Sequence, residues 1–187
     1  MTNYLVNEYK ILNRAIGDLV TAYHEIGHAI VTQVYGIGFI RVDIIQAESR
    51  SGICERKAIP LKYCNKSVLI IDAITALSGR ISENIIRDKI GLIKDYSHSD
   101  EDQRQANRNI YALTKHKVNA AYFLYISEAV EKKAEEIIRN NWEVIKDLSL
   151  ILLDRKVITS RANDVKYLLE QVKPETFILD DFLREQP

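Results

Sequence analysis

His24 and His28 stand one helical turn apart, with Glu25 beside the first, inside a run whose apolar residues Leu19, Tyr23, Ile26, Ala29, Ile30 and Val34 recur at the spacing of a helix face. This arrangement narrows what the chain can fold into. Residues four apart share one face of a helix, so both imidazoles point the same way and Glu25 leans over the neighbouring side. Two converging imidazoles make a catalytic metal site only if another donor arrives from elsewhere, because catalytic zinc commonly takes three protein ligands and keeps a fourth position for water. The sequence therefore predicts a helix buried around its middle and a distant segment folded back onto it. Gly36 and Gly38 mark its end.

The five residues from His24 to His28 form the pattern H-E-x-x-H, here in the helical context it requires. Zinc held by such a pair lowers the pKa of a bound water to about 7 and polarises a carbonyl oxygen. Glu25 then reads as the general base that accepts the water's proton and returns it to the leaving amine, a role worth roughly 10² to 10⁴ in rate. The competing reading makes His24 and His28 ordinary surface histidines beside a solvated glutamate.

Other segments give a coarser outline. Tyr4, Leu5, Tyr9, Leu12 and Ile16 predict an amphipathic helix over residues 1–17 that packs on the rest. Residues 39–46 are rich in Ile and Val without helical spacing and predict a strand, with a turn over 47–52 and a return strand over 52–58; Pro60 closes this β section. The strand through Ile44 and Ile45 either presents an edge on which an extended substrate adds as a further strand or is an ordinary covered strand, and the sequence leaves both open. Residues 68–87 predict a buried helix, 88–102 a loop, and 106–113 the apolar face of a further helix whose start carries Asp100, Glu101 and Asp102, where the helix dipole favours negative charge. Helical spacing then continues from Val118 to Leu152, interrupted at Asn140 and Asn141. Thr159 and Ser160 are expected to cap a short helix ending at Leu169, and a tail begins at Pro174.

Composition excludes several classes. Acidic and basic side chains balance at 26 each, so no overall field draws the chain to nucleic acid or an anionic membrane. The apolar runs at 68–71 and 148–153 fall far short of the roughly 20 residues that cross a bilayer. The amino terminus has neither a basic nor a sustained apolar signal region, and Cys54 and Cys64 are too few for a disulfide scaffold, so a cytoplasmic location is expected.

Beyond the five-residue pattern, Thr21-Ala22-Tyr23-His24-Glu25-Ile26-Gly27-His28-Ala29-Ile30-Val31 resembles the active-site helix of the peptidase domain of the FtsH family, membrane proteases in which an AAA ATPase feeds unfolded protein to a zinc site. Arg41-Val42-Asp43-Ile44-Ile45 is similar to the strand that follows there, and Gly52-Ile53 to the next turn and strand. Leu77-Ser78-Gly79-Arg80-Ile81-Ser82-Glu83-Asn84-Ile85-Ile86 resembles that family's Leu-x-Gly-Arg-x-x-Glu-Glu-Ile-Ile helix, with Asn84 departing from the second glutamate. The carboxyl-terminal helices extend the likeness over roughly residues 18–170.

The resemblance implies a mainly α (α+β), zincin-like helical metallopeptidase domain with a small β-sheet or hairpin after the active-site helix. It divides the chain into an amino-terminal helix (1–17), a zinc peptidase core (18–115), a carboxyl-terminal helical region (116–173) and a tail (174–187). It implies Zn2+ as cofactor, a third ligand from the start of the helix at Asp100-Glu101-Asp102, and a place for Glu83 close to the metal, orienting a ligand. Counting back from Ala106 selects Asp102; Asp100 and, more distantly, His98 are the rivals. Gly27 and Gly79 each cost a helix about 1 kcal/mol relative to alanine, which close helix packing around the metal would explain.

The implied activity is endopeptidase cleavage of unfolded polypeptides or peptides. The alternative is a non-catalytic polypeptide-binding or regulatory module on the same fold. No Gly-x-x-x-x-Gly-Lys-Ser/Thr phosphate loop occurs, so the chain has no ATPase of its own and a separate unfoldase is a possible partner. The family's six-membered rings suggest a homo-oligomer.

Overall fold

The computed structural model describes residues 2–45, 52–59, 65–93, 100–114 and 120–184, the side chains of residues 2–10, 100, 180, 181 and 184 excepted. The predicted turn after residue 46, Pro60, Cys64 and His98 lie outside the described residues, as does the side chain of Asp100.

One helix, α1 (Thr2–Val34), replaces the two expected from the sequence. Neither proline nor a capping residue pair interrupts it at 17–18. Gly17 costs a helix about 1 kcal/mol but stands in open space, and Asp18 accepts a hydrogen bond from Lys156 Nζ at 2.9 Å without leaving the helix. Ile11 and Leu12 are 69% and 58% exposed, so at these positions the helix does not pack on the rest as expected. From Val20 onward its apolar face is buried.

After Gly36 and Gly38, both at positive φ, the chain enters β1 (Phe39–Asp43), which pairs antiparallel with β2 (Ile53–Arg56) and β3 (Val157–Thr159) in the order β2-β1-β3. One open choice is decided here and one expectation is corrected. β1 is the middle strand, and Ile44 N–H donates to Lys156 O at 2.9 Å, so the segment leading to Ile45 offers no free edge; among the described residues the edge strands are β2 and β3. Thr159 ends a strand rather than capping a helix, and α6 (Asn163–Leu169) follows Ala162 without a side-chain cap. The strand arises because Lys156 adopts φ 64, its N–H closing the preceding helix on Leu152 O, and this left-handed residue turns the chain back beside β1.

The remaining helices are α2 (Asn65–Lys89), α3 (Asp100–Thr114), α4 (Ala120–Asn140), α5 (Trp142–Arg155) and α7 (Leu179–Arg184). Asn141 separates α4 from α5 where the sequence indicated an interruption, its side-chain amide donating to Ile137 O at 2.8 Å. α1 packs chiefly on α2 and α5, and α2 also on α3 and α4. Ile26, Ile30, Ile70, Ile74, Ile137 and Ile145 are fully buried where these helices meet. The tail docks too: Glu175 N–H donates to Val34 O at 2.8 Å, and Phe177 meets Tyr35 edge-on at 5.8 Å. The whole is mainly helical with one small antiparallel sheet, and no helix among the described residues is long and apolar enough to cross a membrane.

Candidate metal centre

The middle of α1 is a helix with two jobs on opposite faces. Ala22, Ile26 and Ile30 are sealed in the core, while His24 and His28 on the other side remain 13% exposed at their side chains. Across from them, α2 presents Gly79 and the first turn of α3 presents Asp102. Three atoms converge: His24 Nε2 lies 3.1 Å from His28 Nε2 and 3.0 Å from Asp102 Oδ2, and His28 Nε2 lies 3.4 Å from the same oxygen. Asp102, favoured by the count back from Ala106, is thus brought to the Nε2 atoms of the histidine pair.

The far sides of both rings are fixed by α2. His28 Nδ1–H donates to the backbone oxygen of Thr75 at 2.7 Å, and a carbonyl can only accept. His24 Nδ1–H donates to Glu83 Oε2 at 3.1 Å, and Glu83, 2% exposed, accepts from Arg87 Nε through its other oxygen at 2.7 Å. Each ring proton therefore faces outward, and each Nε2 turns a lone pair toward the centre. Asp102 adds a carboxylate. Three electron-rich atoms this close repel unless positive charge sits among them.

Within the protein alone a proton can supply that charge. Burial opposes a charge on His24, yet its hydrogen bonds with Asp102 and Glu83 raise its pKa to about 10. Burial likewise pushes the Asp102 carboxyl up, but the bonds with His24 and His28 prevail and hold it well below the usual carboxylate range. A proton satisfies one of the three contacts; a divalent cation satisfies all of them. Two nitrogens and one oxygen at these separations suit such an ion, since neighbouring ligands of a tetrahedral ion at 2.0–2.1 Å stand about 3.4 Å apart. The three donors lie within 4.8 Å of one another.

Glycine makes the approach possible. A Cβ on Gly79 would stand 2.5 Å from His28 Nε2 and 2.7 Å from His24 Nε2, inside both rings' contact distance. One on Gly27 would meet the Ser78 carbonyl at 2.7 Å, so α1 and α2 touch backbone to backbone at this level. The close helix packing that the two glycines suggested is present.

Glu25 is 7% exposed, and burial raises its pKa, against the lowering influence of His28 and His24. The start of β2 presses on it, for a Cβ on Gly52 would stand 2.7 Å from both Cγ and Oε1. Stacking of Tyr23 on Trp142, 5.4 Å between ring centres, ties the neighbouring turn of α1 to α5.

Sequence reasoning did not find the Thr75 carbonyl, which belongs to a backbone and leaves no residue-type signal. Nor did it find Arg87, although the i,i+4 spacing from Glu83 on a helix carried that signal. No protein family matches this chain, and no curated protein matches it at a significant level.

Proposed function

We propose that the chain is a zinc-dependent endopeptidase that hydrolyses peptide bonds in unfolded polypeptides or peptides. The observation that carries this reading is the convergence of His24 Nε2, His28 Nε2 and Asp102 Oδ2 beside a buried glutamate one position from the first histidine. The segment resemblance to the FtsH peptidase domain and the order of active-site helix, strand pair and ligand-bearing helix favour it, and a zincin-like fold belongs to the same proposal.

His24, His28 and Asp102 would hold the ion, which when bound supplies a Lewis acid that activates water and polarises a carbonyl. The chain's own residues do the rest. Glu83 and the Thr75 carbonyl hold the two imidazoles in the tautomer that leaves Nε2 free, and Arg87 holds Glu83. Glu25 takes a proton at its carboxylate and later gives it to the leaving nitrogen. Its burial favours that exchange, because a carboxylate with a raised pKa both accepts and releases a proton nearer neutrality. Of the sheet's two edge strands, β2 starts beside Glu25, and an extended chain adding backbone hydrogen bonds along it would favour unfolded substrates over folded ones. An ATPase unfoldase acting in trans, ring-like self-association and a cytoplasmic location accompany this proposal.

The test is cleavage of an unfolded protein such as casein by the zinc-loaded chain and by Glu25→Gln. Loss of cleavage with zinc retained is the expected result; unchanged cleavage would remove Glu25 from the chemistry. Zinc bound with no chelator-sensitive cleavage by either protein would favour a binding module instead.

A further inference from the structure

Next to the candidate metal centre lies a cavity of about 250 Å³, room for one side chain of a peptide rather than for a drug-sized molecule, whose sites run roughly 300–1,000 Å³. Among the described residues four elements wall it, each through one face. α1 contributes His28 and Thr32 one turn apart, and β2 contributes Cys54 and Arg56, whose alternation sends both side chains the same way. α2 adds Asp72, Thr75 and Ala76, and α3 adds Asp102 and Gln105 at i,i+3. Because His28 and Asp102 are also two of the three converging donors, a side chain in this cavity belongs to a residue beside the bond that would be cut.

The polar side chains of the wall already have partners in the protein. Thr32 and Thr75 donate their hydroxyls to Ala29 O and Ile71 O of their own helices, at 2.7 and 2.8 Å. Gln105 donates its amide to Asn109 and accepts from Arg108. Arg56 on β2 is paired with Asp72 on α2, and these two, 38% and 20% exposed at their side chains, stand toward solvent. A charged side chain entering here meets Arg56 and Asp72 already neutralised by each other, so the cost of taking its charge out of water is not offset by an unbalanced opposite charge.

We infer that the Arg56–Asp72 pair sets the specificity of the site: it closes the outer end of the cavity with balanced charge, so that the substrate residue held beside the metal centre is uncharged and apolar. The inference rests on the peptidase reading for its link to cleavage. The pair's own role is separable, since each member should impose its charge on the cavity once the other is neutralised.

The experiment measures binding of dye-labelled hexapeptides of alanine and serine carrying a single Leu, Glu or Lys, by fluorescence anisotropy on the zinc-loaded chain with Glu25→Gln to prevent turnover. With Arg56 and Asp72 intact, the Leu peptide should bind about tenfold or more tighter than the Glu and Lys peptides. Asp72→Asn should improve binding of the Glu peptide about tenfold, and Arg56→Gln that of the Lys peptide by a similar factor. Arg56→Asp combined with Asp72→Arg should restore the preference for Leu, which no loss of folding can mimic. The same order of binding in all four proteins, or no binding of any peptide at millimolar concentration, would overturn the inference. Mass spectrometry of the same peptides with Glu25 in place keeps the two readings apart. Charge-dependent binding without cleavage removes the endopeptidase and leaves the pair's role standing; cleavage indifferent to charge does the reverse.

Discussion

Gly79 on α2 lies directly against His28 on α1, with so little space between them that a methyl group on Gly79 would stand 2.5 Å from Nε2. Gly79→Ala would ordinarily strengthen a helix interior by about 1 kcal/mol. Here the added carbon meets two ring atoms fixed by Thr75 and Glu83, so the sign should reverse. Overpacking of this kind costs typically 1–3 kcal/mol. Urea unfolding of the variant should show a lower midpoint, and zinc titration a weaker affinity. A stabilised variant with undiminished zinc binding would mean that the two helices do not approach this closely.

The Glu83–His24 contact gives a second expectation. Glu83→Gln keeps the size of the side chain but removes the charge that holds His24 Nδ1–H, and partners of metal-bound histidines are worth roughly 10- to 100-fold in metal affinity or activity. Competition with a chromogenic chelator should show a loss of zinc affinity in that range, with the fold intact by circular dichroism. Arg87→Met should show a smaller loss in the same direction, because Arg87 acts through Glu83.

The pH dependence of the chain in chelator follows from the same cluster. The His24 pKa in the fold, about 10, stands above its unfolded value of roughly 6.5. A group raised on folding contributes stability that is fully present below its unfolded pKa and is lost as pH rises through the folded one. Asp102 is depressed, so its share is present above its unfolded value of roughly 3.8 and is lost as pH falls. The melting temperature in chelator should therefore decline from about pH 6.5 toward 10. With zinc in place of the proton the trend should invert, because the ion competes with that proton and binds better as pH rises.

How much of this was written legibly in the sequence depends on the range of the interaction. His24, Glu25 and His28 are neighbours on one helix, so their geometry follows from helix periodicity, whereas Asp102 comes from a distant helix start and is legible only through the resemblance to the FtsH peptidase domain. The break assumed at residue 17 failed because a single glycine weakens a helix without ending it. β3 was missed because three residues carry no periodicity of their own; Val157–Thr159 is a strand only because β1 is beside it and Lys156 turns the chain. The position of β1 in the middle of the sheet was hidden for the same reason.

The carboxyl-terminal tail, which the sequence marks only by its start at Pro174, supplies a test of the fold. Phe177 is 9% exposed and packs between Tyr35, at the end of α1, and Phe182, 5.5 Å away by ring centres. Phe177→Ala should cost about 3 kcal/mol, the low end for a buried aromatic. Denaturant unfolding measures this directly; a change below 0.5 kcal/mol would mean that the tail does not dock on α1.

If His24, His28 and Asp102 together hold a divalent ion, elemental analysis by mass spectrometry will find it. The chain purified with zinc and dialysed should retain about one zinc per molecule. His24→Ala combined with Asp102→Ala should retain almost none while still folding. Equal zinc in both proteins, or none in either, would contradict the account.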